Sequence, residues 1–244
     1  MAWSNLQKPA TAAGQVLVGS TIAQTFAGGC TNGSRTIVAV GCWKSANVTC
    51  TGVGDTVNTY TKDIDLVNGV SGVHTSIWSA PNTSTSALTI TATISATGAD
   101  ASICINEFSG LSTTSGAGAR DGTATGTSTG GATTTTTSTS PTTTAANELA
   151  FATLTGNGDL RAFSVGAGWT LGQNNAPDGA QDILTEWKDT GASGSAISGT
   201  ATEAAGNGNN TILLSIYKLA AVGAPLVPPE QPPMDQAVNR ATTY

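Results

Sequence analysis

The sequence predicts an all-β protein: a jelly-roll-like β-sandwich built from two pseudo-repeated halves, with extended N- and C-terminal arms. Three observations carry that reading. No window repeats its apolar residues at helical spacing through three turns, whereas short runs with apolar/polar alternation recur along the chain. Threonine is the commonest residue, 42 of 244, and its branched Cβ suits a pleated strand better than a helix. Three aromatic pairs share one register, because the same 109 residues separate Tyr60 from Trp169, Trp78 from Trp187 and Phe108 from Tyr217.

Strand signals fall at residues 35–43, 73–79, 86–95, 101–108, 148–154, 182–188 and 211–218, divided by clusters of Gly, Asn, Asp and Ser. In the clearest run Leu88, Ile90, Ala92 and Ile94 fall on one face and Thr89, Thr91 and Thr93 on the other, the signature of a half-buried strand. Many short strands with turn chemistry between them read as a sandwich or jelly roll. Between the aromatic pairs, Ser86-Ala87-Leu88 falls on Ser195-Ala196-Ile197 and Ile103 on Ile212 without a gap. Each half therefore contributes strands whose aromatic and aliphatic residues, Trp78 and Trp187 among them, meet across a common interior.

The expected organisation is an N-terminal arm with the first strands (1–30) and a sandwich (31–219), followed by a proline-rich extended tail (220–244). The repeat halves occupy about 35–110 and 147–219, joined by a threonine-rich stretch, 111–146, read as ordered polar strands and a crossing loop. The tail holds five of the nine prolines, so it cannot join a central strand and takes polyproline character. Its expected assembly contacts are Pro225, Leu226, Val227, Pro228, Pro229, Pro232, Pro233 and Tyr244.

Composition excludes several functions. Nine Lys and Arg against fifteen Asp and Glu give a net charge of −6, and without a basic run there is nothing to neutralise phosphates, so no nucleic-acid partner is expected. No apolar stretch has the length of a membrane helix, and residues 1–15 lack the charged start and apolar core of a signal peptide, so neither a membrane nor secretion is expected.

Candidate chemistry is sparse. Cys30, Cys42, Cys50 and Cys104 fit no zinc spacing and read as reduced, buried thiols, with a Cys42–Cys50 staple as the alternative. His74 is the single histidine and falls on Ile183 in the repeat register, which makes it a strand residue with a structural or surface role. Glu107 and Glu148 are the pair that glycosidase chemistry would need, but nothing in the sequence joins them and they read as exposed or edge-strand carboxylates. The stretch 63–69, Asp-Ile-Asp-Leu-Val-Asn-Gly, misses the ligand spacing of a calcium loop and reads as a polar turn between strands. Asn32, Asn47, Asn82 and Asn209 head glycosylation sequons, without consequence in a cytoplasmic product. No catalytic residue, cofactor or metal site is assigned.

Several segments together, Asn58-Thr59-Tyr60-Thr61, Ser76-Ile77-Trp78-Ser79-Ala80, 106–111, the threonine-rich run into Ala146-Asn147-Glu148-Leu149, and Gly168-Trp169-Thr170-Leu171, resemble a family of β-sandwich domains. That family occurs in bacteriophage virion proteins (decoration and minor capsid proteins) and in bacterial secreted or surface proteins. The resemblance spans about 35–219 and implies a fold without catalytic residues. What it implies for function is a phage capsid decoration or minor capsid protein, assembled in the host cytoplasm into the virion. Its partners would be the major capsid protein or other virion subunits and copies of itself, with a trimer as one homo-oligomer. The alternative is a carbohydrate-binding or adhesive module of a phage tail or bacterial surface that takes a host-surface glycan, with Trp43 and Trp169 as candidate platforms.

Overall fold

The computed structural model describes residues 2–44, 47–130, 132–140, 142–156, 162–174, 181–204 and 208–221. Nearly all regular structure among them is β. The first nine strands are β1 (Ser4–Gln7), β2 (Ala13–Val16), β3 (Thr21–Thr25), β4 (Arg35–Trp43), β5 (Cys50–Gly54), β6 (Thr61–Val67), β7 (His74–Pro81), β8 (Thr89–Ile94) and β9 (Asp100–Ser109). Eight follow: β10 (Arg120–Thr127), β11 (Thr134–Thr136), β12 (Leu149–Thr155), β13 (Phe163–Val165), β14 (Thr170–Asn174), β15 (Ile183–Asp189), β16 (Thr200–Glu203) and β17 (Thr211–Tyr217).

The duplication is complete in topology. In the first unit a larger sheet runs β1-β9-β4-β7-β6, with β2 also on β9, and a smaller one runs β3-β8-β5. The second unit repeats both orders, as β10-β17-β12-β15-β14 and β11-β16-β13. All pairs are antiparallel. Strands β2 to β6 and β7 to β9 alternate between the two sheets, as a jelly roll requires, but the smaller sheet has three strands because β6 pairs with β7 in the larger one.

Two sequence expectations are refined here. The first strands expected within 1–30 are β1, β2 and β3, and they lie inside the first unit instead of standing off it as an extended arm. The stretch 111–146 holds β10 and β11, which match β1/β2 and β3, so the second unit begins well before residue 147. The pairing edge is what hides this: β1 and β2 are two short pieces laid along β9, whereas β10 is one strand laid along β17.

The two halves do not share one sandwich interior. Each closes its own, and the larger sheets then stack on each other, giving four layers. The first interior lies between the two sheets of unit one, with Val38, Val40 and Trp78 from the larger sheet against Ile22, Ile90 and Ile94 from the smaller. The second unit buries Ala150, Leu214, Ile216, Trp169 and Ile197, and at its other end Leu154, Leu184, Phe163 and Ala201. A third layer of apolar contacts, Ile37, Ala39, Ile77, Cys104 and Phe108 against Leu149, Phe151, Ile183, Trp187, Leu213 and Tyr217, fuses the units. The strands at this seam are apolar on both faces, as doubly covered strands must be. Trp78 and Trp187 therefore face different interiors despite their shared register, whereas Phe108 and Tyr217 both face the seam. Phe108 stands edge-on to Phe151 (6.3 Å) and Trp187 (5.3 Å). At Gly41 the seam packs so closely that a Cβ would lie 2.5 Å from Thr155 Cγ2, so any larger residue there must displace the Thr155 side chain.

A buried polar cluster closes one end of the seam. Arg35, 0% exposed, donates to Ser79 Oγ (2.9 Å) and to the carbonyl of Ser112 through Nε (3.0 Å) and Nη2 (2.7 Å). Asp63 accepts from the Tyr217 hydroxyl and pairs with Arg120 Nε at 3.2 Å. Arg35, Asp63 and Ser79 come from unit one; Ser112, Arg120 and Tyr217 lie beyond it. The stretch 63–69 is thus mostly strand β6, not a turn, and the irregular register between Lys62 and Ile64 re-aims Asp63 into the cluster. At the opposite end Asn68 Nδ2 donates to the carbonyls of Ser128 (3.2 Å) and Asn210 (3.1 Å), so both ends are tied.

Removing one member of a buried charged cluster leaves the others unpaired. Arg35→Leu is expected to lower unfolding free energy by about 3–5 kcal/mol, read from urea denaturation. A loss under about 1 kcal/mol would show that the cluster does not hold the seam.

Candidate functional site

Three groups of side chains have the residue types of an active site. In the first, Cys42, His74 and Asp65 form a line. The Nδ1 of His74 accepts the Cys50 N–H (3.2 Å) and lies 3.6 Å from Cys42 Sγ, so the ring proton sits on Nε2 and is donated to Asp65 Oδ2 at 3.3 Å. The order thiol, imidazole, carboxylate is that of a cysteine hydrolase. The environment is not. Cys42 is 0% exposed, burial pushes its thiol far up, and it donates to the Val48 carbonyl instead of facing solvent. Burial also holds His74 below the ordinary imidazole range despite Asp65, so the ring is neutral and acts as a bridge between β5, β6 and β7.

The second group is the carboxylate pair. Glu107 and Glu148 are not brought together, and neither is exposed or on an edge strand: both are fully buried. Glu107 lies on central strand β9, where it accepts from Gln7 Nε2, the Thr31 N–H and Ser34 Oγ, each at 2.6 Å. Glu148 precedes β12, where burial and then the neighbouring Asp121 push its carboxyl up to about 8. Asp121 stays below the ordinary range because its bonds from Thr144 outweigh its partial burial. Burial and the nearby Asp121 carboxylate thus favour the protonated form of Glu148 where the chain enters β12.

The third group is an open trough of about 590 Å³ on the outer face of the smaller sheet of unit one. Its wall is the ladder Thr89, Thr91, Thr93 of β8, and beyond it stand Thr25, Ala23 and Thr21 of β3. Its floor is the backbone of edge strand β5: Val53 turns inward to the core, so Gly52 and Gly54 face outward beside Thr93 and Thr91, with nothing within 4 Å of a Cβ placed on either. Outward glycines weaken an edge strand and mark a place where another molecule can approach backbone. Asp55 closes one end, but both its oxygens are taken, by the N–H groups of Val57 and Asn58 and by the Tyr60 hydroxyl. Apart from Asp55 at its end, the trough is lined by uncharged hydroxyl, methyl and backbone groups. In unit two the outer face carries Thr134, Thr136, Thr200 and Thr202, but Ser164 of β13 stands beside Thr202 where unit one has glycine.

Other expectations resolve as follows. All four cysteines are free and buried. Trp78, Trp169 and Trp187 are buried, and Trp43 is half-buried with its indole N–H on the Ser71 carbonyl (2.7 Å), so no indole forms a platform at the trough. Asn82 is 1% exposed and its amide is engaged with Thr31 and Ser84. Asp63 and Asp65 serve different clusters, and among the described residues no three His, Cys, Asp or Glu side chains converge on a metal position. Among them, too, no helix is long and apolar enough to cross a membrane. The tail contacts, Pro225 to Pro233 and Tyr244, lie outside the described residues. Comparisons with protein-family models, curated proteins and solved structures found no match to this chain.

Glu148 makes stability pH-dependent in a set direction. Its carboxyl is raised from 4.5 to about 8, so between those values the folded chain binds more protons than the unfolded one, and this contribution to stability falls as pH rises. Glu186, raised by burial to about 7, acts in the same sense. Urea unfolding at pH of about 5 and about 8 should show a smaller decline for Glu148→Gln than for the parent. Equal declines would remove Glu148 as a source.

Proposed function

We propose that this chain is a non-enzymatic structural protein of a bacteriophage virion, in the role of a capsid decoration or minor capsid protein with its sandwiches displayed on the particle. The observation that carries the reading is the use made of ionisable groups. Arg35, Asp63, His74, Glu107 and Glu148 are all enclosed, and the first four bond across strands and loops, while the outermost faces of the four-layer slab carry ladders of threonine. A slab tied at both ends of its seam suits a part that must keep its shape while its neighbours hold it. Attachment falls to the proline-rich tail, whose sequence offers prolines and apolar residues such as Leu226 and Val227 to the major capsid protein or to sister subunits, with symmetry multiplying weak contacts.

Chains ending at Ala220 are expected to fold as the full chain does, by near-ultraviolet circular dichroism, and to be missing from purified particles. Normal incorporation of the truncated chain would overturn the attachment mechanism.

The trough favours a second reading, a glycan-binding or adhesive module, because a hydroxyl-lined groove floored by backbone, with one carboxylate at its end, suits an uncharged polyhydroxylated chain. Gly54→Val puts bulk into that groove, where a Cβ meets nothing within 4 Å. On a glycan array the parent would then give a signal that this variant loses, whereas Trp169→Phe would keep it. Equal signals from all three, or none from the parent, would dismiss this reading.

A further inference from the structure

A cluster at the N-terminal edge of unit one has a chemistry that neither reading above uses. Gln7, the last residue of β1, points its carboxamide at Cys30, with Nε2 3.7 Å from Sγ. The same Nε2 donates to Glu107 Oε2 at 2.6 Å and to the Gly29 carbonyl at 3.2 Å, which fixes the amide plane. The other oxygen of Glu107 is held by Thr31 N–H and Ser34 Oγ. The Gln7 carboxamide thus touches both a thiol and a buried carboxylate, and the Glu107 charge is near enough to act on the Cys30 thiol. The second unit has no counterpart, since the residue that matches Glu107 is Ile216. A packing role alone would not call for this combination, because a buried thiol fills space without a carboxamide and a carboxylate beside it.

We infer that Cys30 and Gln7 form an internal thioester with Glu107 as the proton carrier. Cys30 Sγ bonds to Gln7 Cδ, the Cδ–Nε2 bond breaks, and ammonia leaves. The thiol proton passes to the Glu107 carboxylate and from there to the departing nitrogen, so Glu107 ends as it began and no oxidant or reductant is involved. The need for a base follows from the site: burial and then the Glu107 charge push the Cys30 thiol up to about 11, so without proton removal it is a poor nucleophile. Pinning Glu107 by two donors and the amide by two acceptors holds the reacting groups together before reaction. The product joins β1 covalently to the chain leading into β4. Cys30 is 5% exposed and Gln7 is partly exposed, so the acyl group lies near the surface. A small primary amine entering there would take the Gln7 acyl group as a substituted amide and release the Cys30 thiol. The chemical class of partner is therefore a primary amine.

The test is intact mass and thiol count on freshly purified full-length protein, denatured at neutral pH. The expected mass is one ammonia below that of the sequence, with three alkylatable thiols instead of four. Methylamine should add one equivalent and restore the fourth thiol. Cys30→Ala and Gln7→Ala should each show no ammonia loss, and Glu107→Gln, which keeps a hydrogen-bonding side chain of the same shape, should form the bond more slowly. A disulfide is told apart by the loss of two thiols and two hydrogens. Four thiols at full mass, a disulfide, or the same ammonia loss in Cys30→Ala would each overturn the proposal.

Discussion

The structure depends on burying the second face of each larger sheet. A five- or six-stranded sheet covered on one side by only three strands leaves Ile37, Ile77 and Phe108 of unit one, and Phe151, Trp187 and Leu213 of unit two, without cover. Stacking the two sheets solves both problems with one set of contacts. Each large side chain of this kind contributes roughly 1.5–3 kcal/mol when taken from water, so the seam is worth as much as a small domain core. The polar clusters follow from it. Where the seam meets solvent, Arg35, Asp63, Arg120 and Tyr217 at one end and Asn68, Ser128 and Asn210 at the other fix how the sheets sit on each other. An apolar surface alone has no directional preference, and buried polar groups tolerate one register and penalise others.

Much of this was legible in the sequence, and the limits have physical causes. All seven strands read from alternation are present, and the faces assigned on β8 are as expected, with Ile90 buried and Thr89 exposed. Strands are expected within 1–30 and 111–146 without bounds, and β1 to β3, β10 and β11 supply them, whereas β5 and β13 escape notice because they are short. The aromatic repeat pointed to duplication but not to four layers. A strand with apolar residues on both faces has lost its period, so the same 109-residue spacing places Phe108 and Tyr217 equivalently and Trp78 and Trp187 on opposite faces. The candidate site was hardly legible. Gly52 and Gly54 gain their place only once β5 is seen paired with β8, and the Gln7–Glu107 contact joins residues 100 positions apart. Sequence spacing carries no signal for either.

The two units have diverged in how they use one topology. Unit one keeps the larger interior, the three-residue polar clusters around His74 and Glu107, and the open glycine floor. Unit two replaces the glycine beside the threonine ladder with Ser164 and splits its interior into two smaller groups. Unit one is therefore the half with accessible chemistry, and unit two is the half that covers it from behind.

The account stands on the seam making one cooperative body out of two sandwiches. Native-state hydrogen exchange tests this directly, by comparing the opening free energies of amides in β4 and β9 with those in β12 and β17 as urea is raised. The seam requires one shared value for both units, falling along one line with denaturant. Separate values, with either unit exchanging through its own lower-energy opening while the other stays protected, would contradict it.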